Sequence, residues 1–335
     1  MENTYLIITS IANQEHPILN QFAEESITHN IPFIVIGDTK SPDEFNLNGC
    51  DFYSIERQKA LNFELVKALP VKHYARKNLG YLIAISRGAE TIIETDDDNL
   101  PLEGFWDNRM KRVKAHLLNY NGWVNVYKYF TEDHIWPRGF ALENIKDKLP
   151  ELENQVFVDC PIQQGLADEN PDVDAIYRLT LPLPITFNKG DNIALSTNSF
   201  CPFNSQNTTW FKEAFPLLYL PSYCSFRMTD IWRSFIAQRI AWTCGWPILF
   251  HNSTVWQQRN DHDLMHDFQL EMTGYVNNKR IYDFFIELDL KEGIGNISIN
   301  MVQCYEKLVA MDLVDNAEID LLKLWINDVK NCKRI

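Results

Sequence analysis

The chain has 335 residues, of which 45% are hydrophobic and 13% are aromatic, enough for a large packed core in one large domain or two modest ones. Its formal net charge is −14 and its lysines and arginines form no cluster, so we predict no nucleic-acid partner and favour an acidic enzyme that holds an anionic ligand locally or through a metal. Seven scattered cysteines without a CxxC pair indicate free thiols in a reducing compartment, not a zinc site or a disulfide framework.

The N-terminal part of the chain alternates strand and helix patterns. Thr4–Ile11 and Ile31–Asp38 are short, β-branched apolar runs that predict buried strands. Apolar residues at helical spacing predict helices over His16–Asn30 and His73–Ala89, and Glu90–Asp97 predicts a third strand. This order of elements is typical of an α/β fold with a parallel, doubly wound sheet.

The rest of the chain divides by composition. Gly122–Phe130 and Ile248–Trp256 predict strands, and Asp230–Gly245 predicts a helix that begins with an acid and ends with a glycine. After Asn260, amphipathic helical segments dominate. We therefore predict an α/β domain over residues 1–260 and a C-terminal helical extension over residues 261–335.

Targeting signals are not evident in the sequence. The first residues, MENTYLIITSIANQ, have no basic segment and only a short apolar run, so we expect no signal peptide. No apolar stretch has the length that spans a bilayer. We predict a cytoplasmic protein that can still make peripheral contact with the inner face of a membrane.

Polar groups stand where the three N-terminal strands end: Thr9, Asp38 and the triplet Asp96, Asp97 and Asp98. Because ligands bind at the carboxyl ends of parallel strands, we predict a ligand site at this edge of the sheet. The sequence has neither GxGxxG nor GxxxxGK, which disfavours a Rossmann dehydrogenase and a P-loop protein.

The aspartate triplet has a metal-binding interpretation. On an extended strand Asp96 and Asp98 share one face, where they would repel and raise each other's pKa. Mg²⁺ or Mn²⁺ relieves that repulsion and typically uses one or two carboxylates with substrate phosphates, acting as a Lewis acid on the leaving group. Arg76 and Lys77 could then supply charge to a diphosphate. The alternative for the triplet is a solvated acidic turn, and the alternative for Arg76 and Lys77 is an ordinary basic pair on the surface.

Five further segments accompany the stretch YARKNLGYLIAISRGAETIIETDDDNLP in a fixed order: WPRGFAL, DVDAIYRLT, FCPFNSQNTTWFKEAFPLLYLP, MTDIWRSFIAQRIAW and QQRNDHDLMHDFQLE. Together they resemble the STELLO-like glycosyltransferases, a family of the GT-A type, over roughly residues 70 to 275. The resemblance implies a GT-A-like catalytic domain, with a Rossmann-type sheet flanked by helices, that transfers sugar from a nucleotide-sugar donor, by default a UDP-sugar, to a glycan or lipid-linked acceptor.

The resemblance also implies roles for individual residues. Asp96 and Asp98 would hold Mn²⁺ or Mg²⁺ and the donor, with Asp97 beside them. Arg76 and Lys77 would face the diphosphate. By strand position alone, Thr9 and Asp38 would lie near the nucleoside.

Three later residues are further candidates. Asp230 would lie by the sugar or acceptor as a general base, or it is an ordinary helix N-cap. The segment ILFHNS is similar to a histidine-bearing segment of GT-A enzymes, which makes His251 a candidate third metal ligand or else a structural histidine. Arg138 would contact the donor sugar or phosphate, or pair with a nearby acid in a turn.

A more distant resemblance, to the UDP-arabinopyranose mutases, leaves a second enzyme open. That family has an aspartate triplet and an RGY motif whose arginine becomes glycosylated, and Arg138 occupies the matching place. A nucleotide-sugar mutase and a non-catalytic sugar-nucleotide-binding protein are therefore the alternatives. The nucleotide base, the sugar, the acceptor, the stereochemistry and the oligomeric state stay open at this stage.

Overall fold

A mixed β-sheet forms the centre of the protein in the computed structural model, which describes residues 3–42, 44–258 and 263–332. The strands within these residues are β1 Thr4–Thr9, β2 Phe33–Ile36, β3 Cys50–Tyr53, β4 Thr91–Thr95, β5 Asn99–Pro101, β6 Arg112–Leu118, β7 Gly122–Trp123, β8 Gln155–Asp159, β9 Ile162–Asp168, β10 Ile193–Leu195, β11 Ser199–Phe200, β12 Asn207–Phe211 and β13 Ile248–Gln257. The α-helices are α1 Pro17–His29, α2 Ile55–Lys59, α3 Lys77–Ser86, α4 Ala175–Thr180, α5 Thr229–Thr243, α6 Leu264–Glu287, α7 Ile297–Ala310 and α8 Ala317–Cys332.

The main sheet combines a parallel block with antiparallel additions. Its strand order is β3-β2-β1-β4-β12-β9-β13-β10-β6-β8, and β5 pairs with β13. Strands β3, β2, β1 and β4 are mutually parallel, as the βαβ pattern predicts. Strand β12 then runs antiparallel to both β4 and β9. Strands β7 and β11 form a separate two-stranded sheet.

Alternation along β1 explains why helices cover both faces of the parallel block. Leu6 and Ile8 join a core cluster with α1 residues such as Leu19, whereas Ile7 joins the larger cluster with α3 residues such as Leu79. Successive side chains of a strand point to opposite faces, so a strand that is apolar at every position must be covered on both sides. This packing places the carboxyl ends of β1, β2 and β4 at one edge, beside the start of α3.

The C-terminal helices share the main core. Ile281 of α6, Tyr305 of α7 and Trp325 of α8 belong to the same cluster as the sheet residues Ile7 and Ile92. None of the helices in the described part of the chain combines the length and the apolarity that crossing a bilayer requires. The predicted boundary between residues 260 and 261 lies outside the described residues, and the division into two domains stays a prediction.

Most of the predicted elements are present, with one clear error. Gly122–Phe130 is not a strand: β7 covers only Gly122–Trp123, and a 3-10 helix follows over Val126–Tyr129. Aromatic and β-branched residues there suggested a strand, but Tyr127 and Phe130 are buried because they pack into the tertiary core. The predicted helix over His73–Ala89 begins as a 3-10 turn, Tyr74–Arg76, and continues as α3.

Candidate functional site

A cavity of about 470 Å³ lies at the carboxyl ends of β1, β2 and β4. Its volume is in the range of small-molecule sites. Of the predicted site residues, those that line it are Thr9, Asp38, Arg76, Asp96, Asp97, Asp98, Arg138 and Asp230. The structure thus brings together residues from positions 9 to 230 of the chain at the edge where α/β sheets bind ligands.

The aspartate triplet forms a turn, not the end of an extended strand. Strand β4 ends at Thr95, and the backbone N–H of Asn99 donates to the carbonyl oxygen of Asp96 at 3.3 Å. Our expectation of strand alternation was therefore wrong in its geometry. All three aspartates nevertheless line the cavity.

Asp96 is held by a buried lysine. Lys77 Nζ donates to the Thr95 carbonyl oxygen at 2.7 Å, to Tyr74 Oη at 2.8 Å and to Asp96 Oδ1 at 3.1 Å, which uses all three of its protons. Tyr74 Oη also lies 2.8 Å from Asp96 Oδ1. Burial raises the pKa of Asp96, although Lys77 opposes this. With Oδ1 bound in this way, Oδ2 is the oxygen that Asp96 can offer to a ligand.

Asp97 and Asp98 have different surroundings. Asp97 Oδ2 accepts a hydrogen bond from Ser10 Oγ at 2.5 Å, which ties the end of β4 to the end of β1. Asp98 Oδ2 accepts from Gln257 Nε2 at 2.8 Å, whereas its Oδ1 is buried without a hydrogen-bond partner in the described part of the chain. Burial, together with the charges of Asp96 and Asp97, raises the pKa of Asp98 to about 7.

Arg138 is clamped between two aspartates on the far wall of the cavity. Its Nε and Nη2 donate to the two carboxylate oxygens of Asp172 at 2.8 Å each, and its Nη1 and Nη2 donate to Asp230 at 3.1 and 3.0 Å. Nη1 also donates to the carbonyl oxygen of Arg227. These contacts use all five N–H donors of the guanidinium. Arg138 therefore has no N–H left for a phosphate or a sugar while the clamp is intact.

Gly139 explains why a glycine follows this arginine. Its φ of +88° is left-handed, and a Cβ there would lie 2.3 Å from Ile231 Cγ2. The backbone thus turns sharply against α5, which carries both Ile231 and Asp230. A side chain at position 139 would push the loop, and Arg138 with it, away from the helix.

Asp230 is a poor candidate for the general base. Burial raises its pKa, but the ion pair with Arg138 outweighs burial and leaves the pKa at about 2. Ser205 donates to Asp230 Oδ2 from both its backbone N–H and its Oγ at 3.2 Å, and Ser205 Oγ lies 2.6 Å from Tyr74 Oη. A hydrogen-bonded chain therefore links the Arg138–Asp230 pair to Asp96 through Ser205 and Tyr74.

Asp38 and Arg76 make structural contacts at the cavity edge. The Asp38 carboxylate accepts the backbone N–H groups of Thr39, Lys72 and His73 at 2.6, 2.8 and 3.0 Å. Arg76 is 3% exposed, and its guanidinium donates to Gln58 Oε1 at 2.8 and 2.5 Å and to the carbonyls of residues 69 and 70. To bind a diphosphate as predicted, Arg76 and Lys77 would therefore have to give up hydrogen bonds that they already make within the protein.

His251 lies away from the triplet. It pairs with Gly165 across β13 and β9, and β12 separates β9 from β4, so three strand spacings, about 14 Å, lie between His251 and the end of β4. His251 Nδ1 is 3.0 Å from its neighbour's carbonyl oxygen, and burial and Arg109 lower the pKa of its imidazole to about 4. The structure does not bring His251 to Asp96 and Asp98.

The donor set fits a cation that is shared with a ligand. No three His, Cys, Asp or Glu side chains within residues 3–42, 44–258 and 263–332 converge into a metal cage. Mg²⁺ and Mn²⁺ in nucleotide sites need only one or two carboxylates, since phosphates and water complete the shell. Asp96 and Asp98, which both line the cavity, supply two carboxylates, and a cation would relieve the buried repulsion at Asp98, whose Oδ1 has no partner among the described residues.

Sequence reasoning missed several residues that shape the site. Tyr74, Ser205 and Gln257 bond the candidate carboxylates, and Lys40 and Lys72 lie in the cavity lining. Tyr74 precedes Lys77 by three residues at the start of a predicted helix, a signal that could have identified it. The contact between Gln257 and Asp98 joins residues 159 positions apart, which no local pattern reveals.

The cavity and fold define the class of this chain, an α/β protein with an acidic, ligand-sized cavity at the carboxyl edge of parallel strands. Comparison with known proteins then identifies its relatives. Residues 227–334 match the family model described as STELLO glycosyltransferases. Over 274 residues, 76% of this chain, it is 31% identical to "Probable glycosyltransferase STELLO2" and 29% identical to "Probable glycosyltransferase STELLO1", both from Arabidopsis thaliana.

These matches confirm the resemblance to the STELLO glycosyltransferases that the motifs predicted. The matched segment covers 36% and 35% of the two relatives, so the chain spans little more than a third of their length. Among solved structures, "Crystal Structure of A197 from STIV" aligns with 75% of this chain and 82% of its own, at 8% identity and a TM-score of 0.32. That likeness is too low to inform the fold or the function.

Proposed function

We propose that this protein is a metal-dependent glycosyltransferase of the GT-A type that uses a nucleotide-sugar donor, by default a UDP-sugar. The observation that carries the proposal is that Asp96 and Asp98 both line a ligand-sized cavity, where Asp98 Oδ1 is buried without a hydrogen-bond partner among the described residues. The relationship to the STELLO glycosyltransferases supports the reaction class. The parallel block β3-β2-β1-β4 followed by antiparallel β12 is compatible with a GT-A-type sheet.

In this proposal Asp96 and Asp98 would hold Mn²⁺ or Mg²⁺, which when bound supplies Lewis-acid stabilisation to the leaving diphosphate. Lys77 and Tyr74 hold Asp96 through its Oδ1, which leaves Oδ2 as the oxygen for the ligand. Asp97 positions the turn through Ser10. An acceptor hydroxyl of a glycan or lipid-linked sugar would then attack the anomeric carbon as the nucleoside diphosphate departs.

Arg138 and Asp230 act as positioning residues in this proposal. Each is 7% exposed, and their mutual ion pair fixes the wall that carries Ser205. A carboxylate with a pKa of about 2 has little tendency to take a proton from a hydroxyl near pH 7. The ion pair therefore preserves the geometry of the site, and neither residue needs to react.

The mutase alternative receives less support from this geometry. It was motivated by the correspondence between Arg138 and a glycosylated arginine, yet every N–H of Arg138 is bonded to protein. Incubation with a UDP-sugar alone separates the two functions. A mutase would interconvert the ring forms of the sugar, and a transferase leaves them unchanged.

Thermal denaturation tests the donor site. UDP with Mn²⁺ should raise the melting temperature of the wild type, whereas UDP with EDTA should not, because only the metal complex binds the folded state tightly. At a ligand concentration of about 100 times the Kd, the expected stabilisation is about 2.7 kcal/mol. A wild type that shows no metal-dependent shift with UDP, GDP or CMP contradicts the proposal.

A further inference from the structure

Five lysines and arginines line the cavity, and three of them are already engaged. Arg138 donates all of its N–H groups to Asp172, Asp230 and a carbonyl oxygen. Arg76 donates to Gln58 and two carbonyl oxygens. Arg227 pairs with the buried carboxylate of Glu271 at 2.8 Å. Their charges are thus largely balanced within the protein.

The remaining two basic residues are Lys40 and Lys72. Both are exposed to solvent in the cavity lining. Neither has an ion-pair partner among the residues that the structure describes. They are therefore the cations that a ligand can reach without first breaking a bond inside the protein.

A single carboxylate joins the two segments that carry these lysines. Asp38 Oδ1 accepts the backbone N–H of Thr39 at 2.6 Å and that of Lys72 at 2.8 Å, and Oδ2 accepts that of His73 at 3.0 Å. Lys40 follows Thr39 directly. The Asp38 carboxylate thus fixes the segment of Lys72 against the segment of Lys40.

Lys72 also has an uncommon backbone conformation. Its φ is +58°, in the left-handed region that non-glycine residues seldom adopt. Such strain persists only where surrounding bonds enforce it, and it is concentrated at ligand sites. Here the hydrogen bond from the backbone N–H of Lys72 to the Asp38 carboxylate holds the residue in that conformation.

We propose that Lys40 and Lys72 bind the diphosphate oxygens of the nucleotide donor and that Asp38 positions them. The inference rests on the proposed function, since a diphosphate is the ligand group that needs them. Six aspartates line the same cavity, so an incoming diphosphate meets strong negative charge that these lysines offset. Arg76 and Lys77, first expected to face the diphosphate, instead hold the protein framework around it.

Isothermal titration of the full chain tests the assignment. Mn²⁺ alone, Mn²⁺–UDP and Mn²⁺–pyrophosphate are titrated into the wild type, Lys40→Gln, Lys72→Gln and the double variant, with exposed Lys189→Gln as the matched control. Each cavity substitution should weaken binding of Mn²⁺–UDP and Mn²⁺–pyrophosphate about tenfold, since each removes a charge-assisted hydrogen bond. Binding of Mn²⁺ alone should stay unchanged in every variant. Lys189→Gln should bind all three ligands as the wild type does, and Lys72→Arg should retain most of the affinity for the two Mn²⁺ complexes.

A second measurement tests the positioning role of Asp38. In an Asp38→Asn background, Lys72→Gln should weaken Mn²⁺–pyrophosphate binding much less than it does in the wild type, because the lysine is no longer held in place. A purely structural role for Asp38 predicts equal effects in both backgrounds and would overturn the positioning assignment.

The outcomes separate this inference from the function on which it rests. If the wild type binds no Mn²⁺–nucleotide, the proposed function fails. If the wild type binds and the double lysine variant binds Mn²⁺–pyrophosphate equally well, the lysine assignment alone is overturned.

Discussion

Asp98 makes the candidate metal site sensitive to pH. Burial and its two neighbouring aspartates raise its pKa to about 7, and a metal binds the deprotonated carboxylate. We expect Mn²⁺ affinity to be nearly full at pH 8 and to fall about tenfold for each unit below pH 7. Titration of Mn²⁺ at pH 8, 7 and 6 measures this. An affinity that is constant across the range would contradict the role of Asp98 as a ligand.

The same carboxylate should reduce the stability of the metal-free protein. Because its folded-state pKa lies well above the ordinary value of an aspartate, 3.8, the free energy of unfolding falls as pH rises from about 4 through 7. Asp98→Asn removes this penalty and should stabilise the metal-free chain at pH 8 by up to about 4 kcal/mol, since each pKa unit corresponds to about 1.4 kcal/mol. Urea denaturation in EDTA measures the effect, with exposed Asp320→Asn as the control. A destabilised Asp98→Asn would mean that Asp98 is structural.

Arg138 should be the most sensitive residue of the cavity wall. Arg138→Met leaves the buried carboxylate of Asp230 and the partly buried carboxylate of Asp172 without their cation, and should lower the free energy of unfolding by about 3–5 kcal/mol. The exposed Arg112→Met should change it by less than about 0.5 kcal/mol.

Acid titration checks the same ion pair independently. The pKa of Asp230 is lowered to about 2, so its stabilising contribution is complete above pH 4 and disappears as pH falls toward 2. Arg138→Met should lose this dependence, and its instability should lessen as the pH falls from 7 toward 4, because protonation neutralises the buried and now unpaired Asp230. If the free energy of unfolding of Arg138→Met depends on pH below 4 as that of the wild type does, the stabilising ion pair between Arg138 and Asp230 is contradicted.

At the scale of elements, helix α8 is tied to the core by a buried carboxylate. Glu318 accepts hydrogen bonds from Tyr219 Oη and from the backbone N–H groups of Ser222 and Tyr223, the latter two at 2.9 and 2.7 Å. Glu318→Ala leaves these donors without their partner and should cost about 2–4 kcal/mol of unfolding free energy. Urea denaturation measures the cost, and Asp320→Ala on the exposed face of α8 should change little. Equal effects of the two substitutions would mean that Glu318 does not anchor the helix.

The parallel elements could be predicted from the sequence because their signals are local. β1, α1, β2, α3 and β4 each show the apolar periodicity of their type over consecutive residues. β9 and β12, with the sequences IQQGLAD and NTTWF, have no such pattern. They are strands because each pairs with partners far away in the chain, and such tertiary pairing leaves little trace in a single sequence.

At the scale of the whole molecule, the sequence predicted a site at the edge of the sheet where the cavity lies, but it did not predict which side chains bond to each other there. The carboxyl-edge rule identified Thr9, Asp38 and the triplet, and all of them line the cavity. Which charges are neutralised inside the protein was not predictable, because the partners of Arg138 and Lys77 depend on side-chain geometry across distant segments. This is why the sequence predicts Arg76 and Lys77 as phosphate contacts, whereas our proposal from the structure gives that role to Lys40 and Lys72.

A donor screen tests the central claim most directly. Wild type, Asp98→Asn and the control Asp320→Asn are incubated with a panel of nucleotide sugars in Mn²⁺ or EDTA, and release of the nucleoside diphosphate is measured. We predict release from at least one donor by the wild type and the control in Mn²⁺ only, with none from Asp98→Asn. Release by Asp98→Asn at the wild-type rate, or no release by the wild type from any donor, would contradict a metal-dependent glycosyltransferase at this site.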